Sequence, residues 1–415
     1  MMSRLVPELR FKEFSGEWEE KALDKLLEFK NGINANKEQY GSGYKFINVL
    51  DILNNEFIIH DKIIGSVNVD ETVMKKYLVE YGDILFQRSS ETQDEVGTAS
   101  VYLDEHNTAT FGGFVIRGKK IGEYEPIFLN KLLKTNLSRN QITLKSAGST
   151  RYNVGQGILS SVLLPFPSFL EQQKIANCLS SLDNLIEAQN KKVKVLKEHK
   201  KGLMQQLFPQ EGAKVSELRF DGFSGEWEEK ELGKVFDYKN GGSFEKYIVK
   251  DGIYNLITLN SIDIDGELKK EHKTISIESG FLKKNNLIMV LSDVAHGNFL
   301  GLTAIIPEGN KYILNQRMGS LSLKIKANIE FIRLYININQ KYFKLHGHGS
   351  SQQNLSKGDI LKFNIKIPKD EKEQEKIANC LSSLDSLIEA QNKKIEALKE
   401  HKKGLMQQLF VSSED

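Results

Sequence analysis

Apolar residues recur at alternating spacings of four and three in two long stretches of the chain. In the first, Ile175, Leu179, Leu182, Ile186, Gln189, Val193, Leu196, Lys200, Leu203 and Leu207 share one seam. In the second, Ile377, Leu381, Leu384, Ile388, Gln391, Ile395, Leu398, Lys402, Leu405 and Leu409 do the same. Eight of ten positions are apolar in each copy, and that spacing, held for more than three heptads, predicts a coiled-coil helix. At ~1.5 Å per residue each helix runs about 55 to 60 Å. A seam that long must be buried, and the other copy in the same chain is the obvious partner. Gln189 and Gln391 interrupt it at equivalent points; either they fix register within the seam or they lie at a solvated edge.

The seams belong to a longer repeat. Glu171 to Phe208 and Glu373 to Phe410 are identical at 33 of 38 positions. A shorter repeat opens each half: ELRFKEFSGEWEEK from Glu8 and ELRFDGFSGEWEEK from Glu217 agree at 12 of 14 positions. Trp18 and Trp227 both fall in this opener, where they either pin it to the body of the protein or stack on a base. Between opener and helix lie two blocks, Asn31 to Pro167 and Asn240 to Pro368, that have diverged almost completely. Short β-branched and aromatic runs there (YKFINVLDI, DILFQR, GGFVIRG, YNLITLNSI, NLIMVLS, LSLKIKA) are separated by Gly, Asn and Asp turns. Helical stretches such as PIFLNKLLKTNLSRNQI and FIRLYININQKYFKL make the class α+β.

Four segments follow: a first variable domain over 1–167, a first helix over 168–208, a second variable domain over 209–368, and a second helix and tail over 369–415. The linker after Phe208 is short and a whole block precedes the second helix. An antiparallel return of the helices, with an internal pseudo-twofold repeat, is the expected arrangement.

Length and composition fit this division. With 415 residues, 40% hydrophobic and 27% charged, the chain reads as a multidomain globular protein. No apolar run approaches a membrane span and the first residues lack a signal-peptide core, so a cytoplasmic location without membrane contact is expected. Cys178 and Cys380 occupy equivalent helix positions and read as small packed side chains rather than a disulfide or metal site. A formal charge of +2 neither announces nor excludes a nucleic-acid partner.

Enzymatic signatures are missing. None of the seven prolines is adjacent to another, which removes an Asn/Asp-Pro-Pro-aromatic amino-methyltransferase site. No Gly-Lys-Ser/Thr phosphate loop occurs, and the eight histidines show no metal-ligand spacing. A binder rather than a catalyst is expected. Residue types that read base edges or hold phosphates concentrate in the variable blocks. In the first these are Lys30, Asn31, Gln87, Arg88, Ser89, Ser90, Arg117, Ser149, Thr150, Arg151, Tyr152 and Asn153. In the second they are Lys239, Asn240, Ser292, His296, Asn298, Asn315, Gln316, Arg317, Ser350, Ser351, Gln352, Gln353 and Asn354. The lysine-rich stretches Lys191 to Lys201 and Lys393 to Lys403 either track a DNA backbone or form a solvated helix face.

Opener, variable block, a helix beginning EQxKIA and ending GLMQQLF, then the same again: this order resembles the specificity subunit of type I restriction-modification systems over essentially the whole chain. Glu171 to Ala176, Glu373 to Ala378, the block ends GSTRYNV and GSSQQNL, and Gly82-Asp83-Ile84-Leu85 carry the resemblance; the last is replaced by Asn285-Asn286-Leu287-Ile288 in the second half. The resemblance implies two α/β target-recognition domains joined by a long antiparallel two-helix coiled coil. Each domain would read half of an asymmetric, bipartite double-stranded DNA site. The coiled coil would set the spacer and dock two adenine-methylating modification subunits, which a pair of restriction/translocase subunits can join. S-adenosylmethionine, ATP and Mg²⁺ would belong to those partners, and this chain would hold no cofactor. Half-sites about one DNA turn apart, ~10 bp, would face the same side. The competing class is a coiled-coil adaptor presenting two protein-binding domains, which would show no salt-dependent DNA affinity.

Overall fold

The computed structural model describes residues 5–148, 150–277, 280–294 and 297–412. Two compact units divide the chain, residues 1–190 with 393–415, and residues 191–392. Each long helix is thereby split. Phe169–Leu207 begins in the first unit and ends in the second, and Glu371–Leu409 does the reverse.

In the first unit, strands Leu27–Asn31, Val115–Lys120, Ile84–Gln87 and Ala99–Val101 form an antiparallel sheet in that order. Its inner strand Ile84–Gln87 is buried along its whole length, as a run covered on both faces must be. A smaller sheet sets Tyr40–Ile47 between Ser66–Val67 and Thr110–Phe111, the last pair parallel. The opener strand Glu19–Ala22 pairs with Leu163–Phe166, immediately before the long helix.

The second unit repeats the plan with different residues. Phe236–Asn240, Met318–Leu323, Leu287–Val290 and Thr303–Ile305 make its antiparallel sheet. Tyr254–Ile257 lies between Lys273–Ile275 and Tyr312–Leu314, again parallel to the latter, and Glu228–Glu231 pairs with Asn364–Ile367. The altered GDIL motif does not alter the turn. Gly82 has φ +90° and Asn285 φ +64°, and asparagine is among the few residues that tolerate the left-handed region. Asp83 accepts the backbone N–H of Glu80 at 3.1 Å, and Asn286 accepts that of Lys283 at 2.8 Å. Burial lifts the Asp83 carboxyl to about 6, against the pull of the Lys120 and Glu80 N–H groups. The helical stretches are each broken in two, Pro126–Leu132 from Asn136–Thr143 and Ile329–Ile338 from Gln340–Leu345. At the first break the Thr135 hydroxyl caps the new helix by accepting from Ser138 N.

The EQ pair that opens each long helix is buried and fully engaged. Glu171 accepts a two-pronged bond from Arg10 of the opener, Nε to Oε1 at 2.8 Å and Nη2 to Oε2 at 2.7 Å. Gln172 accepts from Glu125 N at 3.0 Å and donates to the Pro167 carbonyl at 3.0 Å. The second unit repeats this with Arg219 on Glu373, both bonds 2.8 Å, and with Gln374 joining Asn328 N and the Pro368 carbonyl. Bidentate arginine–carboxylate bonds are among the stronger polar contacts, so the opener is tied to the helix it precedes by well over a hundred residues. Trp18 packs edge-on against Phe128 and Phe410, and Trp227 against Phe331. Both indoles are buried, which settles them as pins and removes them as base-stacking groups.

Within each unit the start of one long helix runs antiparallel to the end of the other. Leu409 and Phe410 join Ile175, Ala176 and Leu179 in the first core, and Leu207 and Phe208 join Ile377, Ala378 and Leu381 in the second. No seam position of either copy is exposed, whereas most residues between them are. The two seam lysines have partners: Lys402 pairs with Asp183, and Lys200 holds both oxygens of Asp385 at 2.5 and 2.6 Å. Gln189 Oε1 and Gln391 Oε1 are shielded from solvent and accept no hydrogen bond among the described residues. They stand inside the seam, not at a solvated edge. Cys178 and Cys380 are free and half-buried, and no helix is long and apolar enough to cross a membrane among the described residues.

A second anchor lies beside each seam. Lys131 is buried, yet ion-paired to Glu56 and to Asp183 of the helix at 2.6 Å. In the second unit Arg333 takes that place, paired to Glu267 at 2.9 Å and Glu330 at 2.5 Å. Burial alone would raise the Glu56 carboxyl, but the Lys134 and Lys131 ammonium groups hold it down at about 2. A folded-state value below the unfolded one stabilises fully above the unfolded pKa and is lost as pH falls toward the folded one. In a Trp227→Phe background, where Trp18 fluorescence reports the first unit, the urea-midpoint advantage of wild type over Glu56→Gln is expected to narrow from pH 4.5 to about 2. A constant advantage across that window would refute the pairing. Glu171→Ala, which strands the Arg10 guanidinium, is expected to cost about 3–5 kcal/mol in the same assay.

Candidate nucleic-acid interface

The two block ends fold into the same small hairpin. In the first unit Ala147 and Asn153 exchange backbone bonds of 3.1 and 2.9 Å; in the second His348 and Asn354 exchange two of 2.9 Å. A glycine starts each turn, Gly148 at φ +137° and Gly349 at φ +120°. A Cβ on Gly148 would lie 2.0 Å from the Arg151 carbonyl oxygen, and one on Gly349 2.1 Å from that of Gln352. Only glycine allows so close a closure.

Each hairpin docks on the strand that follows the inner strand of the sheet. Tyr152 and Asn153 pair with Ser90 and Ser89, and Asn354, Gln353 and Gln352 pair with Ser292, Asp293 and Val294. One side-chain bond is common to both units: Ser89 Oγ donates to Asn153 Oδ1 at 2.5 Å, and Ser292 Oγ to Asn354 Oδ1 at 2.7 Å. The tips differ. Thr150 and Arg151 are exposed in the first, Ser350 and Ser351 in the second, while Gln352 is half-buried and its amide donates back to Ser292 Oγ. Beside the second hairpin Asp359 sits 3.3 Å from His348 Nε2, its carboxyl held low chiefly by the Ser356 hydroxyl.

Other candidates divide by burial. Exposed are Asn31, Lys239, Asn240, Asn298 and Arg317; Lys30, Arg88, Ser89, Tyr152, Gln316 and Gln353 are half-buried. Asn240 accepts from the Tyr238 hydroxyl, and Asn298 accepts from Lys344 Nζ at 2.9 Å. Lys30 donates to the Lys76 carbonyl at 2.9 Å and lies over the Tyr77 ring, in a shallow depression shared with Lys75, Lys76 and Lys119 and with Glu28 and Glu80. Gln87, Ser90, Arg117 and Asn315 are buried. The Arg117 guanidinium is turned inward onto the Leu78 carbonyl and the Phe111 ring. Asn315 accepts from Phe244 N at 3.1 Å and donates to Glu245 at 3.3 Å. Ser90 donates to Glu95 at 3.0 Å and Gln87 to the Ser89 carbonyl at 3.0 Å. These four support the loops that carry exposed neighbours. Ser149 and His296 lie outside the described residues.

The lysine-rich helix stretches are partly neutralised: besides Lys200 and Lys402, Lys197 pairs with Asp265 at 3.1 Å and Lys399 with Glu396 at 2.8 Å. Sequence reasoning missed Phe114, 64% exposed beside Arg88; within the run GGFVIRG it reads as strand interior. It also missed the Arg10–Glu171 and Arg219–Glu373 clamps, whose signal was the joint recurrence of both partners in both repeats. Among the described residues no group of acidic, His or Cys side chains has metal-site geometry. What the hairpins and neighbouring loops offer is an array of donors, acceptors and exposed side chains on rigid supports, the means of recognition by contact.

The family described as the type I restriction modification DNA specificity domain matches the chain twice, over residues 15–198 and 224–400. The putative type I restriction enzyme MjaX specificity subunit of Methanocaldococcus jannaschii is 25% identical, covering 96% of this chain and 94% of its own length. The MjaVIII specificity subunit of the same organism is 28% identical over 69% of each. Among solved structures, the S subunit of a type I restriction-modification system from M. genitalium superposes with a TM-score of 0.59 at 17% identity, covering 99% of this chain and 100% of that one. A chain from a study of complex assembly and conformational transition of the type I R-M system gives 0.58 at 16% identity, over 95% and 98%.

Replacing Gly148 by alanine forces the first hairpin open. The Asn153 amide is expected to lose its protection from hydrogen exchange in Gly148→Ala, while the amides of Ile84 to Gln87 keep theirs; equal protection of Asn153 in both proteins would refute the closure argument.

Proposed function

Because the chain belongs to the type I restriction modification DNA specificity family, and so is a non-catalytic subunit that recognises DNA sequence, we propose that each of its two units reads one half of an asymmetric bipartite site. One observation carries this reading. The two units share a topology and a glycine-closed hairpin locked by a Ser–Asn bond, yet present different tips, Thr150-Arg151 against Ser351-Gln352. Equal supports with unequal tips are what two readers of different sequences require.

The nearly identical long helices take the complementary part. Their seam residues fix the number of base pairs between the halves, and their outer faces offer two copies of one modification subunit the same dock. Adenine methylation then belongs to those subunits, with S-adenosylmethionine as donor. ATP and Mg²⁺ belong to any restriction subunits that join, and the complex acts in the cytoplasm. A methylated adenine must leave the base stack, and the residues described here hold the duplex while the partner opens it.

Mapping methylated adenines in cellular DNA with and without this chain tests the reading. An asymmetric, interrupted motif that vanishes with the chain is expected. Exchanging residues 31–167 for the block of another family member is expected to change one half of the motif and leave the other half and the spacer intact; a change in both halves, or no chain-dependent methylation, would sink the proposal. The assembled complex with six to ten phosphate contacts is expected to lose about 10³ to 10⁵ in affinity between 50 and 200 mM salt.

A further inference from the structure

Beside each hairpin lies a three-residue turn, 112–114 in the first unit and 315–317 in the second, that leads into the next strand of the main sheet. Its backbone framework is the same in both. Gly112 N donates to the Ile47 carbonyl at 3.0 Å and Asn315 N to that of Ile257 at 3.0 Å; Arg88 N donates to the Phe114 carbonyl at 2.9 Å and Leu291 N to that of Arg317 at 3.0 Å. Phe114 therefore corresponds to Arg317, and Arg88 to Leu291. An arginine and an apolar residue have exchanged places. Arg88 and Leu291, each between two strands, also tie the turn to the hairpin, since the Arg88 carbonyl accepts Val154 N at 3.0 Å and that of Leu291 accepts Leu355 N at 2.8 Å.

Phe114 and Arg317 are both solvent-exposed, and Arg317 is held against a physical preference. Phe114 directs a large aromatic side chain outward from its turn. Arg317 has φ +67°, a left-handed conformation that glycine adopts without strain and a long side chain does not. Among the described residues no ion pair or hydrogen bond engages its guanidinium. Folding of the turn does not explain an arginine at position 317.

Resting on the DNA-recognition reading, we propose that position 114 of the first unit and its counterpart 317 of the second are specificity-determining. Arg317 reads a guanine edge through its two-pronged donors, and Phe114 packs on a thymine methyl. The exchange gives the two halves of the target different base preferences at equivalent places, on turns held by the same flanking backbone bonds.

The full chain with its modification subunits, expressed in cells whose adenine methylation is mapped, tests this with Arg317→Gly and Phe114→Ala. Arg317→Gly is expected to melt at or above the wild-type temperature, because glycine relieves the turn. It should nonetheless relax one base position in a single half of the motif, by roughly tenfold or more in discrimination, and Phe114→Ala should relax one position in the other half. Motifs unchanged in both variants, a uniform fall in methylation with a shallower salt dependence of binding, or a lowered melting temperature in Arg317→Gly would each overturn the assignment. Absence of any chain-dependent motif in the wild type would instead overturn the DNA-recognition reading on which it rests.

Discussion

A buried cation beside each coiled-coil seam organises its unit. Lys131 is 1% exposed and Arg333 3%, and a charge so enclosed is tolerated only where carboxylates and further hydrogen bonds surround it. The carboxylates come from distant parts of the chain, Glu56 from the variable block and Asp183 from the helix in the first unit. In the second, Glu267 and the neighbouring Glu330 supply them while Asp385 holds Lys200. In the first unit, once Lys131 is seated, neither the variable block nor the helix can slide without stranding a charge; in the second, Arg333 secures the variable block and the Lys200–Asp385 pair secures the helices. Apolar contacts along a seam are forgiving of small shifts; ion pairs of this kind are not, so they set the register that the seam merely makes favourable.

The Arg10–Glu171 and Arg219–Glu373 clamps act on the same principle at the helix starts. They explain why the opener and the EQ dipeptide are held nearly constant while the blocks between them have diverged. Each unit must fix its helix with the same tools if both helices are to present the same outer face. At the turns whose residues differ between units, the same backbone hydrogen bonds recur. The turn made by Gly82 and Asp83 is remade by Asn285 and Asn286 with the same bonds, and the glycine-closed hairpin recurs with a different tip.

The seam, the repeats and the strand-rich character of the blocks were legible because they rest on periodicity and identity. The recognition candidates were only partly legible. Arg117 has the chemistry of a base reader, but it lies opposite Leu85 and Lys30 in the sheet and its side chain turns inward; residue type carries no record of that direction. Asn315 and Gln87 were misplaced for the same reason. Phe114 was overlooked for the converse one: an aromatic residue next to a strand is ordinarily core, and only the closing turn turns it outward. The clamps were hidden because arginine and glutamate in a charged repeat read as surface until their partners, some 160 positions away, are brought together.

Satisfaction of polar groups is uneven across the molecule. At the clamps every charged atom is met by a partner of fitting geometry. Elsewhere the order is looser: Gln87 Oε1 and Arg117 Nε in the first variable block, and Gln189 Oε1 and Gln391 Oε1 in the seam, are buried without a hydrogen-bond partner among the described residues, and Arg317 keeps a left-handed backbone. A chain selected only for stability would remove such conflicts, since each costs on the order of 1–3 kcal/mol and single substitutions would relieve them. Such conflicts occur in the seam as well as in the variable blocks: the two seam glutamines suit a register role, and the strained Arg317 backbone follows if that turn is shaped by what it touches. The clamps and buried ion pairs hold the frame on which those tips can change chemistry without loss of the fold.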